Sequence, residues 1–194
     1  MLRRVCVFCG SSLGVSPAYL EAAQDLARAL TERGIELVYG CAHLGLMGAL
    51  ADACLTRGGR VTGVMPRVLV EKEIAHRGLT ELRIVESMHE RKALMADLAE
   101  AFIALPGGFG TWEEFCEVVT WSQLGLHRKA CALLNVNGYY DPLLAMADRA
   151  YDEGFLREVH RKMVIADTDP SQLLDRLNDY VVPVVDKWIN RQAR

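Results

Sequence analysis

Six short apolar runs, separated by segments of helical periodicity, set the strongest limit on how this chain can fold. The runs lack the alternation of a strand with one face in water, so we expect strands that are buried on both faces. Helices between such strands supply the crossovers of a parallel sheet. The sequence therefore predicts an α/β protein, with a Rossmann-like, doubly wound, mainly parallel sheet and helices on both faces. The predicted strands are Val5–Cys9, Ile35–Tyr39, Val61–Met65, Leu82–Val85, Ala101–Leu105 and Ala130–Val136, and the predicted helices are Pro17–Arg33, Gly45–Arg57, Met88–Glu100 and Thr111–Leu124, with two more near 141–153 and 170–178.

The length of 194 residues suits one α/β domain with a full core. We expect that domain to cover 1–180, with a tail at 181–194 that packs on the domain or on a partner subunit. A net charge of −3 and the lack of a basic stripe argue against nucleic acid as a partner. No apolar stretch is long enough for a membrane span, and the first apolar run is too short for a signal peptide, so we expect a cytoplasmic protein with no membrane partner.

The cysteines and histidines do not suggest a metal site. Cys6 and Cys9 form a C-x-x-C pair, but in a strand their side chains point to opposite faces, and no second pair completes a site. The five histidines show no metal-ligand spacing. We therefore predict structural cysteines and no metal.

Three glycine-rich turns follow predicted strands, at 10–12, 40–48 and 106–111. Because the carboxyl ends of parallel strands share one edge of the sheet, the three turns should line one pocket. The third turn opens directly into a helix, whose first N–H groups favour an anion, and a phosphate fits best. The long connection at 66–80 is expected to fold over this pocket. Further pocket candidates on the same edge are Gly10, Ser11, Gly45 and Met88.

Two common nucleotide motifs are absent from these turns. Gly40 and Gly45 have the spacing of a triphosphate-binding loop, but Leu46 and Met47 stand where Lys and Ser or Thr are needed. The first turn lacks the G-x-G-x-x-G pattern of dinucleotide-binding proteins. The sequence thus disfavours triphosphate cleavage and does not predict NAD.

Glu114 allows two interpretations. Thr111 and Glu114 match a capping box, in which the glutamate bonds back to the backbone at the start of the helix. Helical geometry instead places Glu114 on one face with Val118 and Trp121. A carboxylate on an apolar face, one turn from a phosphate-binding loop, favours a role in chemistry.

Arg91 also interrupts an apolar stripe, which contains Met88, Met95 and Leu98. Its long side chain can extend outward to water. Its helix begins at the same edge of the sheet, however, so the guanidinium can equally reach a phosphate or a carboxylate there, with Lys92 beside it.

The segments Ser87–Lys92 and Pro106–Glu114 together resemble the paired signature of the "lonely guy" family, the cytokinin riboside 5′-monophosphate phosphoribohydrolases, often mislabelled as lysine decarboxylases. The resemblance implies hydrolysis of the N-glycosidic bond of cytokinin riboside 5′-monophosphates or AMP, giving free base and ribose 5-phosphate, without a cofactor and in a homodimer. It implies that Arg91 and Glu114 are catalytic. The substrate contacts that it implies are Glu73, Arg91, Lys92, Gly107, Gly108, Phe109, Gly110, Thr111, Trp112, Glu113, Glu114 and Thr120. One departure is that Cys41 and Ala42 follow Tyr39-Gly40, where the family usually has further glycines.

Two other functions remain alternatives at this point. A non-catalytic carrier of a nucleotide or of the molybdenum cofactor would use the glycine turns but would give Arg91 and Glu114 no particular task. An amino-acid decarboxylase would need pyridoxal phosphate and a Schiff-base lysine, for which Lys92 is the one lysine in the two signatures.

Overall fold

The computed structural model describes residues 1–70, 75–181 and 183. Within these ranges, seven parallel strands form one sheet in the order β4-β3-β2-β1-β5-β6-β7. The predicted α/β, doubly wound fold is confirmed. The strands are β1 (Arg4–Phe8), β2 (Glu36–Tyr39), β3 (Val61–Pro66), β4 (Glu81–Val85), β5 (Ala101–Ala104), β6 (Ala130–Leu134) and β7 (Val164–Asp167), and the helices are α1 (Pro17–Glu32), α2 (Gly45–Thr56), α3 (Arg67–Val70), α4 (Met88–Leu98), α5 (Phe109–Gln123), α6 (Asp141–Asp152), α7 (Glu158–Arg161) and α8 (Pro170–Asn178), with a short 3-10 turn at Val136–Gly138.

The strand order determines where a ligand can bind at the carboxyl ends of the strands. The chain adds β2, β3 and β4 on one side of β1 and then crosses to add β5, β6 and β7 on the other side. The connections after β1 and β5 therefore diverge and leave a crevice between them. The first and third glycine turns flank that crevice, and the Gly10 N–H donates to the Pro106 carbonyl over 3.0 Å.

The core lies on both faces of the sheet. Val5, Val7 and Cys9 pack with α1 and α2 on one face, whereas Cys6 and Phe8 pack with α4 and α5 on the other. The two cysteines of the C-x-x-C pair thus separate as predicted. Side chains of successive strand residues fill both layers, which explains why the runs in the sequence lack alternation.

Some predictions about the elements are wrong. Strand β4 is at the edge of the sheet, and its residues are exposed or half-buried, not buried on both faces. Helix α5 begins at Phe109 instead of Thr111, because the chain turns into the helix directly after Gly108. Strand β7 was not predicted, since its four residues end in an aspartate and give little periodicity.

Two predicted features are described only in part. The connection at 66–80 contains α3 and a bridge between Ala42 and Ala75, but 71–74 are not described. Most of the tail at 181–194 is likewise outside these ranges. Each helix of the described residues is too short or too polar to span a lipid bilayer.

Candidate active site

The third glycine turn presents open backbone at the start of α5. Gly108 is the N-cap, and the first bond within the helix runs from the Trp112 N–H to the Gly108 carbonyl over 3.1 Å. The N–H groups before Trp112 therefore have no carbonyl of the helix to bond. A Cβ placed on Gly108 or Gly110 would meet nothing within 4 Å, so the surface beside these amides is open. This is the geometry expected of an anion site at a helix start.

Gly107, in contrast, is enclosed by the protein. A Cβ at this position would overlap the Thr111 side chain and lie 2.8 Å from the Gly10 nitrogen. The first and third turns can approach each other only because this residue has no side chain. Gly107 thus shapes the turn, while Gly108 and Gly110 line the open side.

Arg91 and Glu114 form a buried ion pair next to this turn. Arg91 Nη1 donates to Glu114 Oε1 over 2.8 Å, and the two side chains are only 10% and 12% exposed. Arg91 Nε also donates to the carbonyl of Val64 in β3 over 3.2 Å. The guanidinium is therefore directed inward, and the alternative in which Arg91 extends to water is wrong.

Gly40, at the end of β2, makes room for this guanidinium. A Cβ on Gly40 would overlap Arg91 Nη2 and lie 2.8 Å from the terminal carbon of Met47. The glycine is thus required by the close approach of a side chain, and sequence analysis assigned it no such role. Its position after a predicted strand was the available signal.

The capping alternative for Glu114 is also wrong. Because α5 begins at Phe109 after an N-cap at Gly108, Glu114 lies beyond the first turn of the helix. Its carboxylate bonds to Arg91 instead of the backbone at the helix start. Burial raises the pKa of Glu114, although the Arg91 guanidinium opposes that shift. A buried carboxylate with a raised pKa at the mouth of a crevice is typical of a reactive group.

Lys92 and Glu113 lie on the outer side of this pair. Lys92 Nζ donates to Glu113 Oε1 over 2.6 Å and to Glu117 Oε1 over 3.0 Å. These contacts join α4 to α5 one residue away from the Arg91–Glu114 pair. Together with the Arg91–Glu114 pair, these contacts give three ion pairs that fix α4 against α5.

Thr120 is not part of this cluster. Its hydroxyl donates to the Cys116 carbonyl over 2.7 Å, within the helix. The side chain lines an apolar groove of about 240 Å³ between α5 and α6. Within one subunit, the structure therefore does not bring Thr120 to Glu114.

The other predicted contacts surround the turn. Phe109 and Trp112 are exposed, and their rings meet edge to face with centroids 5.1 Å apart. Thr111 is buried beside Gly107. Of the further pocket candidates, Gly10 packs under the third turn, the backbone of Ser11 contacts Gly45, and Met88 is exposed at the start of α4. The predicted substrate contact Glu73 lies outside the described residues.

Two tyrosines that the sequence did not single out also contact this turn. Tyr139 donates its hydroxyl proton to the Gly107 carbonyl, and Tyr140 donates to the Leu105 carbonyl over 2.6 Å. The signal was the pair of tyrosines that follows a predicted strand and an Asn-Gly turn. Among the described residues, no group of three or more His, Cys, Asp or Glu side chains is placed to hold a metal ion.

Comparison with known proteins gives relatives that cover almost the whole chain. The family model described as "Possible lysine decarboxylase" matches 47–177. A cytokinin riboside 5′-monophosphate phosphoribohydrolase of Arabidopsis thaliana is 48% identical over 191 residues, which is 98% of this chain and 89% of the relative. A phosphoribohydrolase of the same description from Oryza sativa subsp. japonica is 49% identical over 179 residues, 92% of this chain and 74% of the relative.

Solved structures share the fold at much lower sequence identity. The molybdenum cofactor binding protein of Rippkaea orientalis aligns with a TM-score of 0.69 and 16% identity, covering 92% of this chain and 96% of the other. The molybdenum cofactor carrier protein of Chlamydomonas reinhardtii gives a TM-score of 0.66 and 15% identity, covering 92% and 97%. At these identities the likeness concerns the fold alone.

Proposed function

The chain belongs to the family of cytokinin riboside 5′-monophosphate phosphoribohydrolases, and from that premise we propose how its own residues cleave the substrate. The protein is a hydrolase of N-glycosyl bonds. It hydrolyses a cytokinin riboside 5′-monophosphate to the free base and ribose 5-phosphate. The observation that carries the mechanism is the buried Arg91–Glu114 pair beside the open amides of the third glycine turn.

The 5′-phosphate binds at the start of α5. The N–H groups from Gly108 to Thr111 have no carbonyl partner within the helix, and the positive end of the helix dipole favours a dianion there. An anchored phosphate places the ribose in one orientation relative to Glu114. The glycine turn thus supplies orientation, and it takes no part in bond breaking.

Glu114 acts on the sugar. Departure of the base leaves positive charge on C1′ and on the ring oxygen, which a nearby carboxylate stabilises. The same carboxylate orients a water molecule towards C1′ and accepts its proton as the new C–O bond forms. The C1′–N bond breaks with its electron pair on the base, which takes up a proton from solvent. Because burial raises the pKa of Glu114, this carboxylate is a better base than an exposed one.

Arg91 keeps that carboxylate charged and in place. Its guanidinium is fixed at one side by the Val64 carbonyl and at the other by Glu114. The positive charge opposes the rise in the pKa of Glu114 that burial produces. Without Arg91 the carboxyl group would be both misplaced and more readily protonated.

Lys92 does not suit the decarboxylase alternative. A Schiff base forms from a neutral amine, whereas Lys92 is held by the carboxylates of Glu113 and Glu117. Burial disfavours its charge, but the bonds from these two carboxylates outweigh burial and raise the pKa of Lys92. We therefore assign Lys92 to the joint between α4 and α5 and to the edge of the substrate site.

We further propose that AMP is a second substrate and that the protein works as a homodimer in the cytoplasm.

The exposed Leu126, Met146 and Phe155 support a partner surface on the α5–α6 side, where Thr120 also lies. In such a dimer Thr120 would serve the partner's site or the interface. Light scattering after size-exclusion chromatography gives the mass directly, and a monomer at micromolar concentration would contradict the dimer.

The assay that tests the function measures free base and ribose 5-phosphate from two nucleotides. The wild-type protein should release adenine from AMP and isopentenyladenine from isopentenyladenosine monophosphate. Adenosine, which lacks the phosphate, should be cleaved far more slowly. If the folded protein binds both nucleotides and releases no base, the proposed mechanism fails.

A further inference from the structure

The carbonyl groups of Leu105, Pro106 and Gly107, between β5 and the start of α5, accept hydrogen bonds from other parts of the chain. The Leu105 carbonyl accepts from the Tyr140 hydroxyl over 2.6 Å, and the Pro106 carbonyl accepts from the Gly10 N–H over 3.0 Å. The Gly107 carbonyl accepts from the Tyr139 hydroxyl. Three successive peptide groups that precede α5 are thus oriented from outside the turn.

Both tyrosines reach the turn because of a tight reversal after β6. Asn137 and Gly138 have positive φ angles of 52° and 69°, which fold the chain back over the end of β5. Asn135 stabilises the reversal: its side-chain oxygen accepts from the Tyr140 N–H over 2.7 Å, and its amide donates to Asp141 over 2.7 Å. The reversal is therefore built to aim Tyr139 and Tyr140 at the turn.

The tyrosine rings are also held by aromatic contacts. Tyr139 and Tyr140 meet edge to face with centroids 5.0 Å apart, and Tyr19 of α1 contacts Tyr139 in the same way at 6.0 Å. Tyr140 is fully buried, whereas Tyr139 is half-buried. Burial raises the pKa of Tyr140, so its hydroxyl remains a donor.

The bond to Gly107 has a consequence for the anion site, because a trans peptide group is planar. The carbonyl of Gly107 and the N–H of Gly108 belong to one peptide group and point in opposite directions. When Tyr139 holds the carbonyl, it fixes the N–H on the opposite side. Space next to Gly108 is open on the protein surface.

We propose that Tyr139 is a positioning residue, which aims the Gly108 N–H at the 5′-phosphate by holding the Gly107 carbonyl. Tyr140 anchors the preceding residue and contributes mainly to the stability of the turn. The inference rests on the proposed function in one respect only, that the ligand carries a phosphate at the start of α5. It does not depend on how the glycosidic bond is broken.

The test uses ribose 5-phosphate as the probe, so binding is measured without catalysis. Titration calorimetry compares the full-length wild type with Tyr139→Phe, Tyr140→Phe and the control Tyr151→Phe, a tyrosine that is 43% exposed on α6. Tyr139→Phe removes one hydroxyl, so we expect its Kd to rise about tenfold, with a Tm close to that of the wild type. Tyr140→Phe should lower the Tm more and the affinity less, and Tyr151→Phe should change neither.

Steady-state kinetics on AMP supply a second readout. A positioning role predicts that Tyr139→Phe raises KM and leaves kcat within about twofold of the wild type, because the phosphate contact is made in the ground state and the transition state alike. Unchanged Kd and KM in Tyr139→Phe would overturn the proposal. The proposal would also be overturned if Tyr139→Phe and Tyr140→Phe lost affinity to the same extent and each loss matched a fall in the Tm of that variant.

The same data separate this inference from the enzymatic mechanism. A wild type that binds ribose 5-phosphate but cleaves no nucleotide refutes the mechanism, while weaker binding by Tyr139→Phe still supports the role of Tyr139. A wild type that cleaves AMP, with a Tyr139→Phe variant indistinguishable from it, refutes the inference alone. A wild type that does not bind ribose 5-phosphate overturns the inference, since no phosphate then occupies the site.

Discussion

Two glutamates at opposite ends of the sheet expose almost equally little side-chain surface, yet their pKa values shift in opposite directions. Glu114 lies at the carboxyl ends of the strands with a side chain 12% exposed, and Glu36 lies at the amino ends with a side chain 10% exposed. Burial disfavours the charge on both. The pKa of Glu114 is nevertheless raised, whereas the pKa of Glu36 is lowered.

The difference comes from depth as well as from neighbours, because Glu114 lies deeper in the protein than Glu36 and has fewer groups that stabilise its charge. Glu36 accepts from the Thr62 hydroxyl over 2.6 Å and from Arg4 Nε over 3.2 Å, and Arg60 lies 3.7 Å away, so these groups outweigh the effect of burial. Burial has the largest effect on Glu114 and raises its pKa; the Arg91 guanidinium opposes that rise, and the charge of Glu113 adds to it. Glu36 is stabilised as a carboxylate ion, and its contacts join neighbouring strands. Glu114 keeps a higher proton affinity, which suits a group that accepts a proton during the reaction.

The largest effect that would test this contrast is on turnover. Glu114→Gln keeps the size of the side chain and an acceptor for Arg91 but removes the base, so kcat on AMP should fall by about a thousandfold. Glu36→Gln should leave kcat within about twofold and instead lower stability by about 1–2 kcal/mol, because bonds to a charged group are lost. Rates and thermal unfolding of both variants measure the two effects. Equal losses of kcat in the two variants would abolish the contrast.

A change next to the ion pair should have the next largest effect. In Gly40→Ala the new methyl group overlaps Arg91 Nη2, so the guanidinium must move from Glu114, and we expect kcat/KM to fall about a hundredfold. Gly59→Ala is a matched control, since its methyl group overlaps the Thr31 side chain between α1 and α2, far from the turn. The control should lose stability and keep its kcat. Wild-type kinetics in Gly40→Ala would show that the position of Arg91 does not matter.

The contrast also predicts two separate acid transitions. Activity that needs ionised Glu114 should fall as the pH drops through its raised pKa, which is above the usual value of about 4.3. Glu36 has a lowered pKa in the folded state, so its contribution to stability is present above that usual value and is lost as the pH falls through the lowered pKa. The opposite sign holds for Glu114, whose contribution to stability is lost as the pH rises through its raised pKa.

The pH profile of kcat/KM and the pH dependence of the Tm check this order. Activity should disappear at a higher pH than the stability contributed by Glu36. On the acid limb, at pH values below the pKa of Glu114, kcat/KM should fall about tenfold per pH unit. Simultaneous loss of activity and fold would contradict the separation.

The smallest effect concerns the departure of the second glycine turn from the family pattern. Cys41 has a positive φ of 68°, which is unfavourable for a side chain by about 1–2 kcal/mol. Its thiol is buried near Gly63 and provides packing that offsets part of this strain. Cys41→Gly should therefore change the unfolding free energy by less than about 1 kcal/mol and kcat/KM by less than about twofold. A large gain in rate would mean that the cysteine narrows the site.

The sheet and the position of the crevice were predictable because they depend on patterns that repeat along the sequence. Runs of apolar residues gave the strands, and glycines after three of them gave the turns at one edge. The edge strand β4 and the short β7 were poorly predicted, since exposure depends on where the strand lies in the sheet and four residues carry little periodicity.

The sequence singled out Arg91 and Glu114 but not the contact between them. The sequence alone left Glu114 between capping and chemistry, and left Arg91 between water and the rim. The structure decides between these alternatives, because α5 begins at Phe109 and because Arg91 of α4 bonds to Glu114 of α5. The roles of Gly40 and Tyr139 depend on contacts with residues 51 and 32 positions away in the sequence, which no local pattern records.

Crystals of Glu114→Gln grown with AMP would show how the nucleotide lies in the site, because this variant should bind the nucleotide without cleaving it. The account predicts an intact nucleotide with its phosphate on the N–H groups that begin α5 and with C1′ within about 4 Å of the side chain at position 114 or of a water that this side chain holds. A nucleotide bound with the phosphate elsewhere, or with C1′ directed away from position 114, would contradict it.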